Sequence, residues 1–425
     1  MARPEQPCFP ADHLYLVNRL LAAVFVCIVF IVPPAQAQTY SVIHNFTGGS
    51  DGGFPQAGLA MDRAGKLYGT ASTGGVSGNG AVFRLVPSGS HWIFYPLYSL
   101  PGGYGGSAPT GPLTIGPDGA LYGTTLGGGY FQGEYCEDGG CGVVFRLRPP
   151  PTAPPSAFTP WNETVLYAFN AEDGNEPVYP QLLFDQAGNI YGTTQFGGSN
   201  VGGNVFELTP SGGGWTETVL YDGFEGNSPA GAQPYSGVVM DSAGNLYGTT
   251  SIGGARGDGV VYEISPTQNG WVQTILHDFD FGTGGGLSYG GLVMDQAGNL
   301  YGGTVAGGRG DCGVIYELSP SNGGWTFAPI YDLPSCGGGP YENLTIDASG
   351  NLYGTAYGDG ANGGGMVFKL SQSNGAWTLT DLHDFSFRTE YFPYGAVLIG
   401  PNGDLYGTAS GGGAYDHGVV WEITP

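Results

Sequence analysis

One repeated unit constrains the fold of this chain more than any other feature. The unit reads Asp-x-x-Gly-Asn-Leu-Tyr-Gly-Thr-Thr, then a Gly-Gly loop, then Gly-Val-Val-Tyr-Glu-Ile-Ser-Pro, and it recurs seven times with variations. Its Tyr-Gly core lies at Tyr68, Tyr122, Tyr191, Tyr247, Tyr301, Tyr353 and Tyr406. The spacing is 52 to 56 residues, except for one interval of 69 residues that contains the proline-rich insertion Pro149–Pro160. A period of this length is typical of solenoids, propellers and other repeat architectures.

Each copy contains four short segments that favour β-strands, named a to d here. β-Branched and aromatic residues fill these segments, and Gly, Asp and Pro turns separate them. In the fourth copy the expected strands are Ser236–Met240, Leu246–Ser251, Val260–Ser265 and Trp271–Phe279. No stretch after residue 37 has a helical period. Four-stranded units at this spacing predict the blades of a β-propeller.

The two ends of the chain support a closed ring. The last copy stops at Val419–Ile423, a strand c, and lacks a strand d. The segment Tyr40–Phe46 reads as a lone strand d near the other end. We therefore predict an all-β, seven-bladed β-propeller with four antiparallel strands per blade, whose last blade is closed by the N-terminal strand. Such closure would hide the sheet edges. A β-solenoid is the alternative, although it would not need a permuted last unit.

Composition narrows the possible partners. Gly and Pro are abundant, at 82 and 31 residues, but 13% aromatic and 41% hydrophobic residues favour a folded chain over a disordered one. The net charge is −24, with only 11 Lys and Arg residues. Nucleic-acid binding depends on cation–phosphate contacts, so it is not expected. An acidic surface would instead attract cations such as Ca²⁺.

Residues 1–37 have the pattern of an export signal. Arg3 and Arg19 precede the apolar run Leu20–Val32, and the small-residue site Ala35-Gln36-Ala37 follows. We expect cleavage there, a propeller domain over residues 38–425, and a secreted or periplasmic protein with no membrane span after cleavage. An uncleaved anchor is the alternative.

Four cysteines follow the predicted signal: Cys136, Cys141, Cys312 and Cys336. An even number in an exported chain indicates disulfides. Cys312 precedes strand c of the fifth copy and Cys336 follows its strand d, so the two ends should meet. Cys136 and Cys141 bracket a short loop and could pair with each other. A metal site is the weaker alternative, because the spacing is atypical and no His lies nearby in sequence.

The repeat resembles that of a known bacterial group. The string Asn-Leu-Tyr-Gly-Thr-Thr, followed by Gly-Gly and Gly-Val-Val-Tyr-Glu-Ile, is similar to the tandem repeat of exported GloVer (Gloeobacter–Verrucomicrobia) repeat proteins. The resemblance covers residues 40–425. It implies a repeat protein outside the cytoplasm of a bacterium and brings no assigned catalytic residues.

Five tyrosines are the candidate ligand-binding residues. Each precedes strand a, which is innermost in a propeller, so these side chains could ring the mouth of the central channel. Flat rings with a hydroxyl edge suit sugars or peptides. Packing between blades is the alternative. The five are Tyr179, Tyr235, Tyr289, Tyr341 and Tyr394.

Acidic loops are the candidate metal sites. Glu172, Asp173 and Glu176 are crowded in one loop and could hold Ca²⁺ through oxygen ligands. The alternative is a solvated acidic loop. The Asp residues that open the a–b turns should instead cap their own backbone amides. His44, His277 and His383 exchange with Tyr between copies, which indicates packing.

No catalytic motif stands out in this sequence. We therefore expect a non-catalytic exported binding or scaffold protein whose partner is an extracellular polysaccharide or protein. The first alternative is a glycoside hydrolase or polysaccharide lyase that uses loop carboxylates. The second is a purely structural component of the cell envelope.

Overall fold

Seven four-stranded antiparallel sheets each contain one copy of the repeat. The predicted seven-bladed β-propeller is therefore confirmed. The computed structural model describes residues 38–129, 136, 139–150, 161–226, 228–334 and 337–425, and Thr39–Thr424 form one compact unit. The predicted export signal and most of the proline-rich insertion lie outside the described residues.

The strands follow the chain order in blades one to six. The first strand of the chain is β1 (Thr39–Asn45). Blades one and two contain β2 (Ala60–Met61), β3 (Leu67–Ala71), β4 (Ala81–Ser88), β5 (His91–Ser99), β6 (Thr114–Ile115), β7 (Leu121–Thr125), β8 (Val143–Arg148) and β9 (Asn162–Ala168). Blades three and four contain β10 (Leu183–Phe184), β11 (Ile190–Thr194), β12 (Asn204–Ser211), β13 (Gly214–Tyr221), β14 (Val239–Met240), β15 (Leu246–Thr250), β16 (Val260–Thr267) and β17 (Gly270–Asp278).

The remaining blades continue this order. Blades five and six contain β18 (Val293–Met294), β19 (Leu300–Gly303), β20 (Val314–Ser321), β21 (Gly324–Asp332), β22 (Thr345–Ile346), β23 (Leu352–Ala356), β24 (Gly363–Ser373) and β25 (Ala376–Ser386). The last part of the chain contains β26 (Glu390–Tyr391), β27 (Leu398–Ile399), β28 (Leu405–Ala409), β29 (Gly411–Gly412) and β30 (Val419–Thr424). One 3₁₀ turn spans Gly103–Gly105. In the described part of the chain, no helix has the length and apolarity that a bilayer crossing requires.

Both ends of the chain close blade seven, as predicted. The N-terminal β1 pairs antiparallel with β30, from Thr39 opposite Thr424 to Asn45 opposite Val419. The order of strands in this blade is β27, β28, β30 and β1. The ring is therefore held by main-chain hydrogen bonds between the two ends of the sequence.

The innermost strand is shorter than expected. It has two residues in each blade, as in β14, where Val239 pairs with Tyr247. The preceding residues contact the neighbouring blade instead, because the Ser236 carbonyl accepts a hydrogen bond from Thr193 Oγ1 at 2.7 Å. The threonine after Tyr-Gly makes the same contact elsewhere, and Thr408 Oγ1 donates to Ala57 O at 2.9 Å across the closure.

The glycine of Tyr-Gly is required by packing. Gly69 lies directly opposite Phe83 on β4, and a Cβ at Gly69 would lie 2.5 Å from the Phe83 ring. Trp421 faces Gly407 in the same way in blade seven. Seven hydrophobic clusters lie between adjacent blades, so the core is a ring of blade interfaces.

The strand-d histidines pack as expected. His277 stacks on Phe327 of the next blade at 3.5 Å, and His383 stacks on Tyr40 at 3.6 Å. Burial lowers the pKa of both imidazoles. A stacked, neutral histidine fills the same interface that a tyrosine fills in other blades.

One predicted disulfide is present. It joins Cys136 and Cys141, whose Cα atoms are 5.0 Å apart. Cys312 is buried, but Cys336 lies outside the described residues. The Cys312–Cys336 pairing therefore stays a prediction.

Candidate functional site

The propeller has two chemically different faces. The a–b and c–d turns form one face, called the turn face here, and the d–a and b–c loops form the other, called the loop face. On the turn face Asp241 Oδ1 accepts the N–H groups of Ala243 and Asn245, both at 2.9 Å, and Oδ2 accepts Tyr247 Oη at 3.1 Å. The predicted capping role of these Asp residues is therefore confirmed.

The five predicted tyrosines meet at the inner edge of the loop face. Ring centroids are 4.6 Å apart for Tyr235 and Tyr289, 5.0 Å for Tyr289 and Tyr341, and 5.2 Å for Tyr341 and Tyr394. Tyr179 is held beside them, because its N–H donates to Tyr235 O at 3.2 Å. Four of the tyrosines thus pack against each other between blades, and ligand binding by the five stays a prediction.

The pKa values of these phenols reflect their crowding. Burial, together with the neighbouring Tyr289, Tyr357 and Tyr235, raises the pKa of Tyr341 to about 12. Burial also raises the pKa of Tyr179, and the nearby Glu342 carboxylate adds to this rise. The Tyr179 and Tyr341 hydroxyls are therefore neutral near pH 7 and can serve as hydrogen-bond donors.

The cluster continues outward over blades six and seven. Tyr357 stacks on Tyr394 at 4.8 Å and on Phe392 at 4.6 Å. Phe392 contacts Tyr391 at 4.9 Å and Phe387 at 5.4 Å. Together these rings form a continuous row from the channel mouth to the rim, called the aromatic track here. Its members are Tyr235, Tyr289, Tyr341, Tyr394, Tyr357, Phe392, Tyr391 and Phe387.

A small extra sheet supports the outer end of the track. β26 pairs with β29, with Tyr391 opposite Gly411, and Tyr391 Oη donates to Asp416 Oδ1 at 2.9 Å. Among the described strands, this ribbon is the only sheet outside the seven blades. Gly411 suits the position because a Cβ there would clash with the Tyr391 ring.

Exposed apolar side chains concentrate on the loop face. Phe387, Tyr415 and Tyr104 are 58%, 60% and 56% exposed. Among the described residues, all five exposed aromatic side chains lie in d–a or b–c loops, and only two exposed aliphatic residues, Ile93 and Val272, lie on outer strands. The five aromatic residues are Phe54, Tyr104, Phe281, Phe387 and Tyr415. Phe387 lies beside Tyr391 and Phe392, with ring centroids 5.2 and 5.4 Å away, and is thus the exposed end of the aromatic track.

Beneath the tyrosines, the strand-a segments enclose a cavity of about 480 Å³ in the central channel. Its walls are mainly apolar and include Leu59, Met61 and Val293, and of the five tyrosines only Tyr179 lines it. A second cavity of about 440 Å³ shares Gln181 and Asn343 with the first. It reaches Pro117 in an a–b turn, so the channel leads towards the turn face.

Glu342 is a buried carboxylate in the wall of this channel. Its side chain reaches two neighbouring blades, because Oε2 accepts the N–H groups of Ala396 at 2.7 Å and Gly58 at 3.0 Å. Oε1 is buried and has no hydrogen-bond partner. Burial raises the pKa of Glu342 to about 7, although the two amide hydrogen bonds lower it.

The predicted calcium ligands do not form an evident metal site. Asp173 accepts hydrogen bonds from Tyr167 Oη at 2.5 Å and from the Asn170 N–H at 2.8 Å. Glu172 is exposed, and the N–H of Glu176 donates to Cys141 O at 3.1 Å. No group of three His, Cys, Asp or Glu side chains in the described part of the chain is placed to hold a metal ion. Calcium binding by this loop stays a prediction.

Sequence reasoning missed Glu342 and Tyr357, and a comparison between the copies could have found both. The position of Glu342 is occupied by small residues or proline in the other copies: Ala57, Gly111, Pro180, Ser236, Gly290 and Gly395. The position of Tyr357 is occupied elsewhere by Ser72, Leu126, Gln195, Ser251, Val305 and Ser410. Glu342 thus departs from a position that is otherwise small or proline, and Tyr357 is the only aromatic residue at a position that varies between copies.

These features define a closed β-propeller with an aromatic loop face. The sequence matches the Gloeobacter/Verrucomicrobia repeat over residues 13–159, 137–296 and 272–425, and the chain belongs to this repeat family. The predicted resemblance is therefore confirmed. No curated protein matches the sequence.

Solved structures with a similar fold include three sugar-related proteins. A glucose dehydrogenase shares 14% identity and a TM-score of 0.45, covering 91% of this chain and 99% of that chain. An oxidoreductase from Thermus thermophilus, provisionally described as a glucose dehydrogenase, shares 16% identity and a TM-score of 0.44, covering 91% and 100%. A protein provisionally described as a gluconolactonase shares 13% identity and a TM-score of 0.44, covering 91% and 92%. At this level the likeness carries no inference about activity.

Proposed function

We propose that this protein is an exported, non-catalytic binding propeller that holds an extracellular polysaccharide on its loop face. The observation that carries the proposal is the concentration of exposed aromatic side chains on that face. Aromatic rings offer flat apolar surfaces on which sugar rings can stack. The row formed by the aromatic track suits an extended chain better than a single sugar.

The charge of the protein favours a neutral polysaccharide. With a net charge of −24 and few cations, the surface would repel a polyanion. Gln233, half-buried in the d–a loop two residues before Tyr235, is a polar side chain that could bind a sugar hydroxyl. The experiment must distinguish a polysaccharide ligand from a protein partner.

The test is a panel of neutral and acidic polysaccharides, with co-sedimentation and affinity electrophoresis of the full chain, in Ca²⁺ and in chelator. We expect one class of neutral polysaccharide to bind. Phe387→Ala and Tyr415→Ala should each weaken binding about tenfold, which corresponds to ~1.4 kcal/mol. The matched controls Ile93→Ala and Val272→Ala remove exposed apolar side chains from outer strands and should bind like the parent.

Several results would overturn this proposal. Equal losses of polysaccharide affinity in the loop-face and control variants would show that binding does not depend on the exposed aromatic residues. Release of shortened glycans in the same incubations would instead support a glycoside hydrolase or lyase. A blank panel in both buffers would shift the function to a protein partner or an envelope scaffold.

A further inference from the structure

The two oxygens of Glu342 have different surroundings. Oε2 joins blade six to blades seven and one by accepting two backbone N–H groups. Oε1 lies in the interior without a hydrogen bond, and the residue is only 6% exposed. A buried polar atom without a partner is destabilising, so its presence in a native structure needs an explanation.

Blade contact does not explain this carboxylate. Six other copies have Ala, Gly, Pro or Ser at the same position and still form the ring. In five of those six copies the main-chain carbonyl at this position accepts a hydrogen bond from a threonine hydroxyl of the neighbouring blade, as Gly290 O does from Thr249 Oγ1 at 2.9 Å. The acid group is therefore an addition in one blade, and the residue that carries it lines the channel cavity.

The charge and apolarity of the residues that line the cavity indicate which class of ligand could bind there. No Lys, Arg or His is among the described residues that line either cavity, so no protein cation is placed there to balance Glu342. A hard metal ion would need several oxygen ligands, but Glu342 is the only carboxylate among the described residues of this lining, and Leu59, Met61 and Val293 add apolar surface. An organic cation with a carbon chain fits both the charge and the walls. The Tyr179 ring on the same cavity can add a cation–π contact.

We propose that the central channel is a binding site for a small alkylammonium compound, with its ammonium group on Glu342 and its carbon chain along the strand-a side chains. A volume of about 480 Å³ is in the range of small-molecule pockets. The second cavity, which reaches Pro117, provides the approach from the turn face. This site is separate from the polysaccharide surface, which lies on the other side of the tyrosines.

The experiment is calorimetric titration of the full chain at pH 8 with n-hexylammonium, and with n-hexanol as the uncharged comparison. We expect one saturable site for the amine and at least about tenfold weaker binding of the alcohol, because a hydrogen bond between two charged groups is stronger than a neutral one. Glu342→Gln keeps an acceptor for Gly58 and Ala396 but removes the charge, so it should weaken amine binding at least about tenfold. Glu225→Gln, at an exposed loop-face carboxylate, is the matched control and should bind normally.

Three results would contradict the proposal. They are no saturable amine binding up to millimolar concentrations, equal binding of the amine and the alcohol, and unchanged binding by Glu342→Gln. If Glu342→Gln unfolds, Glu342→Asp provides a second variant, which keeps the carboxylate charge on a shorter side chain. In this variant amine binding should weaken, while binding of the alcohol should not change. Phe387→Ala should leave amine binding unchanged, so failure here and failure of the polysaccharide proposal are distinguishable.

Discussion

Glu342 and Asp347 are two carboxylates at opposite ends of the inner segment of blade six, and their surroundings differ completely. Asp347, on the turn face, accepts the N–H groups of Ser349 and Asn351 at 2.8 and 2.9 Å and the Tyr353 hydroxyl at 3.2 Å. Burial alone would raise the pKa of Asp347, but these hydrogen bonds lower it. Glu342, at the loop-face end, has one oxygen without a partner, and its pKa is raised to about 7 by burial.

The different surroundings of Asp347 and Glu342 suggest different roles, stability of the fold for Asp347 and ligand binding for Glu342. The residue type and bonds of Asp347 recur in other blades, for example at Asp241 and Asp295, so selection for a stable turn is sufficient to explain them. Glu342 occurs in one blade only and costs free energy there. When a buried polar residue occurs in only one copy of a repeat and lacks a hydrogen-bond partner, binding of a ligand is the simplest explanation for it.

The largest expected effect concerns the pH dependence of stability in Glu342→Gln. The folded-state pKa of Glu342, about 7, lies above its usual value of 4.5, so the folded protein binds the proton more tightly than the unfolded chain. The resulting stabilisation is complete below pH 4.5 and is lost as the pH rises through 7. Raising the pH should therefore destabilise the parent by about 3 kcal/mol relative to the variant.

Urea unfolding at pH 4.5, 6 and 8 measures this difference. Other groups also titrate in this range, including Glu163 and Glu217, whose pKa values burial raises to about 7, and His44, whose pKa burial lowers to about 4. These groups are present in both the parent and the variant, so their contributions to the pH dependence cancel in the free-energy difference between the two proteins. A constant free-energy difference between parent and variant across these pH values would mean that Glu342 ionises normally and would remove the contrast with Asp347.

The next effect is the loss of a turn in Asp347→Ala. This change leaves two N–H groups, the Asn351 amide and the Tyr353 hydroxyl without their acceptor, and should lower the free energy of unfolding by about 2 kcal/mol at pH 7. Asp347→Asn keeps one side-chain oxygen and should lie between the alanine variant and the parent. Glu172→Ala, which removes an exposed loop-face carboxylate, is the control and should have little effect on urea unfolding. Comparable losses of unfolding free energy in Glu172→Ala and Asp347→Ala would show that turn-face carboxylates do not stabilise the fold more than loop-face carboxylates do.

The same contrast explains what could be predicted from sequence. The blades, the closure of the ring by Tyr40–Phe46 and the Asp turns follow from residues that recur at a fixed period, so local patterns were sufficient. The aromatic track could only be predicted in part. The five tyrosines were identified because they recur, whereas Tyr357 and Phe387 occupy positions that differ between copies. Their contacts join residues from loops of different length, such as Tyr357 with Phe392, and depend on how those loops fold.

The smallest effect is expected at the extra ribbon of the loop face, in Tyr391→Phe. The hydrogen bond from Tyr391 Oη to Asp416 Oδ1 is exposed to solvent, so its loss should cost only about 0.5 kcal/mol. Asp416 Oδ1 also accepts the Gly412 N–H at 3.2 Å, and Gly412 pairs with Glu390 across the ribbon. The expected result is faster amide hydrogen exchange at Gly412 with no change at Gly407 in the blade core. Tyr415→Phe, at an exposed tyrosine of the loop face, should change neither rate. Faster exchange at Gly407 in Tyr391→Phe would mean that the ribbon and the blade open together, so that the loop face is part of the same cooperative unit as the repeated turns.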